Sequence, residues 1–180
     1  MKKVLIVSSS PRLHGNSDVL CDAFMKGAKD AGHSVTKINL AQKKLHACIG
    51  CASCYESSDC VFDDMAEIKQ QLIAADVIVF GTPVYFHNMC AQLKILIDRT
   101  VGFYEQLVNK EFYYIMTATS TEEQDDQNFP RTIESLRGYT LDCLEGSVEK
   151  GMIRGGGLSK VGDAKNSAYE KQAYEMGKRV

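Results

Sequence analysis

The sequence is poor in everything that would tie it to a membrane or to a nucleic acid. Its apolar runs are a handful of residues long, far from the roughly 20 needed to span a bilayer. The opening run, Met1-Lys2-Lys3-Val4-Leu5-Ile6-Val7, is also too short for the apolar core of a secretory leader, so a cytoplasmic location is expected. Basic and acidic residues nearly balance, at a net charge of −2, and both signs are mixed along the chain. With no basic block, neither a nucleic acid nor an anionic membrane is an expected partner. Internal repeats, linkers and low-complexity segments are lacking too. The 180 residues, 1–180, therefore read as one domain with a cysteine-rich insertion at about 46–62.

Two common phosphate signatures are absent. The polar stretch after the first apolar run, Ser8-Ser9-Ser10-Pro11-Arg12-Leu13-His14-Gly15-Asn16-Ser17, has no Gly-Lys-Ser/Thr and no Gly-x-Gly-x-x-Gly. It still has the makings of an anion site. A helix is expected to start at Asn16 or Ser17, both good caps. Leu20, Phe24, Ala28 and Ala31 would form its apolar face, and Gly32 would end it. Hydroxyls, an amide, an arginine and a helix N-terminus would then meet at the end of a strand.

Val4-Leu5-Ile6-Val7 and Val77-Ile78-Val79-Phe80 have no polar break, as strands buried on both faces of a parallel sheet should read. Ser34 to Leu40 alternates, like a sheet edge. Phe112–Met116 and Gly151–Arg154 are the remaining expected strands, with helices at about Pro130–Leu144 and after the capping-box sequence Ser167–Glu170. Two central apolar strands beside an alternating second strand suit the order 2-1-3-4-5, in which ligands bind outside the carboxyl ends of the strands. There lies Thr82-Pro83-Val84-Tyr85-Phe86-His87-Asn88, able to grip a flat heteroaromatic ligand. Thr117 and Thr119 stand at or just past the end of the fourth strand, and Glu122–Asp126 reads as a solvated loop.

Cysteine, by contrast, is abundant, with seven residues. Disulfides are rare in the cytosol, so metal binding or redox chemistry is the better expectation. Cys48, Cys51, Cys54 and Cys60 follow a C-x2-C-x2-C-x5-C pattern, and the first three would project from one side of a helical turn. Compact runs of this kind suit an iron–sulfur cluster. Zinc, a redox-active disulfide and bare thiols remain open as alternatives. Cys21, Cys90 and Cys143 are isolated and expected to be buried as small hydrophobes. Asp63-Asp64-Met65 should open a helix. Its paired acids do not make a phospho-receiver site, because Ser8-Ser9-Ser10 and Gly81-Thr82 occupy the places such acids would need.

Pro83-Val84-Tyr85, Asn88, Ala91, Leu93-Lys94 and Asp98-Arg99 together resemble the flavin-ring loop of the flavodoxin-like NAD(P)H-dependent FMN reductases, a broad family that includes the iron–sulfur flavoproteins. The polar stretch resembles that family's phosphate loop, and the cysteine spacing its compact cluster motif. The resemblance implies a flavodoxin-like, doubly wound, five-stranded α/β domain that binds FMN. Ser9, Ser10, Arg12, Asn16 and Ser17 would hold the phosphate. Thr82 through Asn88 would face the ring, with His87 as a candidate proton donor, and Thr117 and Thr119 would complete the site. Cys48, Cys51, Cys54 and Cys60 would ligate a [4Fe–4S] cluster close to the flavin. NAD(P)H would be the donor, and a small acceptor or a redox protein the partner. The chain would be a homodimer or homotetramer, acting as a reductase or as an electron carrier.

Overall fold

The computed structural model describes residues 1–57, 59–62 and 64–180. Asp63, expected to open a helix with Asp64, and Ser58 lie outside the described residues. The apolar run near the start forms β1 (Lys3–Ser8), and the polar stretch leads into α1 (Asn16–Asp30). The alternating segment is β2 (Ser34–Asn39), exposed along one side as a sheet edge should be. After a long connection carrying the cysteines and the single turn α2 (Ser53–Ser57) come α3 (Ala66–Ala74) and β3 (Val77–Tyr85). A two-residue return strand β4 (Asn88–Met89) precedes α4 (Ala91–Asp98). The chain closes with β5 (Glu111–Thr117), α5 (Asn128–Thr140), β6 (Val148–Gly155) and α6 (Ala168–Gly177).

The five long strands pair in parallel in the order β2-β1-β3-β5-β6, which is the expected 2-1-3-4-5. One strand was not expected: β4 folds back antiparallel on the end of β3, making six strands in all among the described residues. Side chains alternate between faces with the strand period. Leu5, Val7, Ile78, Phe80, Phe112 and Tyr114 join the core under α3, α4 and α5. Val4, Ile6, Val77, Val79, Tyr113 and Ile115 join the core under α1 and α6. Both faces of β1 and β3 are therefore covered, and their sequences have no polar break.

Several element ends differ from the sequence reading. Gly15, not Asn16 or Ser17, precedes α1 as its cap and makes no side-chain cap bond. The Asn16 amide is used elsewhere, donating to the carbonyls of Leu158 and Lys160 (3.2 and 2.8 Å) and accepting from the Ala164 N–H (3.1 Å). Gly32 does end α1, at φ +86°. α5 starts at Asn128, since proline is tolerated in a first turn, and stops at Thr140. Cys143 then lies beyond the helix and is exposed, against the expected burial, whereas Cys21 and Cys90 are buried. The capping box holds in modified form. Ser167 Oγ accepts from the Glu170 N–H, while Glu170 reaches back to the N–H of Asn166 rather than that of Ser167.

Candidate functional site

β1, β3 and β5 are neighbours, and the register carries their ends to one edge. Ser8 pairs with Gly81, and Pro83 with Thr117. The loops that follow these strands therefore lie side by side.

The first loop is wound tightly. Ser9 is fully buried and donates both its N–H and its hydroxyl to the Gly81 carbonyl, at 2.8 and 2.7 Å. Ser10 Oγ bridges the carbonyl and N–H of Arg12. A β-carbon at Gly15 would lie 2.9 Å from Ser10 Oγ and 3.0 Å from the Arg12 carbonyl, so any larger residue would push on the Ser10–Arg12 turn. Arg12 is exposed and Ser17 buried. The hydroxyl of Ser9 and the amide of Asn16 thus brace the loop from within.

The sequence reading missed the support beneath it. Asp18 is 2% exposed. One of its carboxylate oxygens accepts from Ser8 Oγ (2.6 Å) and Asn39 Nδ2 (3.2 Å) and lies 2.7 Å from Lys37 Nζ. The other accepts the N–H of His14 at 2.9 Å, a residue held at φ +58°. Burial works against the charge on Asp18, but the bonds from Lys37, Ser8 and His14 outweigh it and lower its pKa. Burial likewise opposes the charge on Lys37, yet Asp18 and Asp22 raise its pKa. Ligand atoms of His14, Asp18 and Asp22 lie within 4.8 Å of one another, but the Lys37 ammonium already supplies the cation there. The legible signal was a lone lysine in an apolar alternation, facing an acid in a helix's first turn.

The second loop is a hairpin. Tyr85 pairs with Asn88, and Phe86 and His87 turn the corner at φ +50° and +61°. Two positive values make a type I′ turn, which usually employs Asn-Gly. A bulky residue there is a backbone outlier of the sort found at functional sites. Phe86 is fully exposed and Tyr85 45% exposed, while Pro83 and Val84 are half-buried. Thr82 is buried; its hydroxyl donates to the Pro83 carbonyl and accepts the N–H of Cys90. Asn88 Oδ1 caps the N–H of Met89. His87 Nε2 lies 2.9 Å from Asp125 Oδ2, which ties the hairpin to the acidic loop after β5. That acidic loop is thus not merely solvated. In the third loop Thr117 is buried and Thr119 exposed. It is held through the bonds Ala118 N–H to Gly155 and Leu158 N–H to Ala118.

The cysteines form a second centre. Cys48, Cys51, Cys54 and Cys60 are free thiols lining one cavity of about 1360 Å³. Gly50 and Ala52 have φ of +66° and +63°, so Cys48 and Cys51 lie outside the helical turn that contains Cys54. Among the described residues, the lining comes from the cysteine loop, α3, the turn after α4 and the end of α5, not from the three loops at the carboxyl edge. The donor set suits a thiolate-bound metal centre: four cysteines line one space, and Arg99 beside them keeps a buried Nε with no partner among the described residues.

A flavodoxin-like, doubly wound α/β protein with a ligand edge at β1, β3 and β5 is thereby defined. The chain belongs to the NADPH-dependent FMN reductase family, whose profile it matches over residues 2–130. As a member of that family it is an FMN-dependent oxidoreductase. It is 32% identical over 185 residues to an iron-sulfur flavoprotein of Methanocaldococcus jannaschii, a match covering 99% of this chain and 95% of the relative. Its fold is that of an NAD(P)H:quinone oxidoreductase from Methanothermobacter marburgensis, with TM-score 0.79 at 20% identity, covering 99% and 96% of the two chains. It is also that of an FMN-dependent NADH-azoreductase from Bacillus anthracis in complex with FMN, with TM-score 0.73 at 17% identity and 99% coverage of each. No helix among the described residues is long and apolar enough to cross a membrane.

Proposed function

We propose that the chain holds FMN at the carboxyl edge and uses NAD(P)H to reduce flavin, quinone or another small acceptor. The observation that carries this is the adjacency of β1, β3 and β5, which sets a hydroxyl-rich loop, an aromatic hairpin and a third polar loop side by side. FMN, when bound, supplies hydride and electron transfer. Arg12, Ser17 and the start of α1 would receive the phosphate, favoured by the helix dipole. Ser9, Ser10 and Asn16 would shape that loop rather than touch the ligand, since their side chains are already bonded within the chain. Thr82, Pro83, Val84, Tyr85, Phe86, His87 and Asn88 would bound the ring, and Thr117 and Thr119 the remaining side. His87 anchors the hairpin to Asp125. His87→Phe with unchanged turnover would exclude a proton-transfer role for it.

A second reading is favoured by the four thiols on one cavity. Cys48, Cys51, Cys54 and Cys60 would ligate a [4Fe–4S] cluster, and the chain would carry electrons between that centre, FMN and a redox-protein partner. The expected setting is cytoplasmic, as a homodimer or homotetramer; a stable monomer with FMN bound, seen by light scattering, would contradict the oligomer. The deciding experiment measures FMN, iron and acid-labile sulfide per chain after anaerobic purification. FMN with about four iron and four sulfide establishes the cluster. FMN without iron leaves the reductase alone, and failure to take up FMN on reconstitution overturns the whole reading.

A further inference from the structure

One side chain closes the cysteine loop. Arg99, just past α4, is 4% exposed. Its Nη1 donates to the carbonyl of His46 at 2.6 Å; its Nη2 donates to the carbonyl of Phe62 at 3.2 Å and to Asp64 Oδ1 at 2.6 Å. Asp64 Oδ2 accepts the N–H of His46 at 2.7 Å and lies 2.8 Å from His46 Nδ1. The Phe62 ring stacks on His46 at 4.5 Å and lies 5.3 Å below the guanidinium. His46 on one side and Phe62 and Asp64 on the other flank all four cysteines, so both ends of that segment are pinned to one cation.

The clamp leaves something over. Arg99 Nε is buried and has no hydrogen-bond partner among the described residues. Buried N–H groups are rarely left unpaired, and each one that is calls for an explanation. Arg99 lines the same cavity as the four thiols, and Cys60 is close enough to favour its charge. A cavity lined by four cysteines and by a fixed cation with a spare donor suits an anionic, sulfur-bound centre.

We infer that Arg99 is a positioning residue for that centre. It gathers the ends of the cysteine loop so that four thiols face one space, and its free Nε–H and positive charge lie toward the thiolates. This inference rests on the reading that the loop holds a cluster. Hydrogen bonds to sulfur and nearby positive charge both raise a cluster's reduction potential, so the role has a readout that a purely structural clamp would lack.

The test uses the full-length wild-type chain, Arg99→Gln, Arg99→Lys and Asp64→Asn, each reconstituted anaerobically with iron and sulfide. FMN binding confirms that each variant is folded, since the structure places Arg99 at the far end of α4 and Asp64 just before α3, both away from the three loops at the carboxyl edge. Three quantities are read: iron and sulfide per chain, the cluster's midpoint potential, and hydrogen exchange across residues 46–64 without metal. Arg99→Gln is expected to take up less than half the wild-type iron, and any cluster it retains should have a lower potential. Arg99→Lys restores charge but not the planar fork, so its potential should recover while loop exchange stays at least tenfold faster than in wild type. Asp64→Asn should speed loop exchange with the potential little changed. Should Arg99→Gln match wild type in iron content and potential, the inference is overturned and the cluster stands. Wild type that takes up no iron overturns the cluster reading and the inference with it.

Discussion

Gly27 and Gly177 meet where α1 crosses α6, each in the space the other helix's backbone needs. A β-carbon on Gly27 would lie 2.0 Å from the Tyr174 carbonyl oxygen, and one on Gly177 would lie 2.1 Å from that of Phe24. In an open helix, replacing glycine by alanine gains about 1 kcal/mol. Here backbone blocks the methyl and cannot swing aside. Gly177→Ala should therefore destabilise by about 1–3 kcal/mol, the cost of overpacking. A β-carbon on Gly138, inside α5, would meet nothing within 4 Å among the described residues. Gly138→Ala should move the other way, gaining up to about 1 kcal/mol. Thermal unfolding of the two variants should show midpoints shifted in opposite directions.

Asp18 offers a second prediction, because its charge is almost wholly buried and shared. Asp18→Asn keeps the shape but leaves Lys37 with only Asp22, itself partly exposed. Removing one partner of a buried pair costs about 3–5 kcal/mol. The first loop should loosen with it, since Asp18 fixes Ser8 and the N–H of His14. FMN should bind at least tenfold more weakly to the variant. In wild type the folded pKa of Asp18 is lowered. Its contribution is thus fully present above the ordinary aspartate range, about 3.9, and is lost as pH falls through the depressed value. FMN titrations followed by fluorescence at neutral and acidic pH would show wild type converging on the variant only in acid. Equal affinities at neutral pH would exclude the role.

Phe86 and His87 set up a trade of stability against function. Both sit at positive φ in a two-residue turn, where a left-handed backbone costs most residues about 1–2 kcal/mol and asparagine less. Phe86 is fully exposed and gains nothing from burial. Phe86→Asn should therefore raise the unfolding midpoint, by up to about 1 kcal/mol in stability. If the exposed ring covers the flavin, turnover with NAD(P)H should fall severalfold in the same variant. A variant that is both stabler and fully active would show that the strain serves no catalytic purpose.

The uneven legibility of the sequence has physical causes. β1 and β3 could be read because both faces are covered and no polar residue interrupts them. β2 could be read because one side of an edge strand is exposed. β4 could not, because Phe-His carries no turn signal for the I′ conformation that creates it. The cysteine spacing suggested a helical turn, but Gly50 and Ala52 turn left-handed and leave only Cys54 in α2. The roles of Asp18 and Lys37 were not legible, and Asp125 read as part of a solvated loop, because their partners are brought to them by tertiary packing alone. Arg99 was seen only as part of a motif, although its bonds reach residues 46, 62 and 64.

Asp64 makes the cysteine loop sensitive to acid. Burial opposes its charge, but the guanidinium of Arg99 and the N–H and ring of His46 more than compensate and hold its pKa down to about 2. Burial also opposes the charge of Arg99, and Asp64 raises its pKa in return. A carboxylate with a depressed folded pKa stabilises the fold above its unfolded value and loses that contribution as pH falls through the folded one. Loop closure should accordingly be complete above about pH 4 and fail toward pH 2, well away from neutrality. Asp64→Asn should reproduce the acid-opened loop at pH 7. Limited proteolysis of metal-free protein across that pH range, with an acid-active protease at the low end, would score cleavage within residues 46–64. Cleavage confined to that loop, rising below pH 4 in wild type and already present at pH 7 in Asp64→Asn, is the expected pattern. Cleavage spread over the whole chain would instead mean that acid unfolds the domain before the clamp opens.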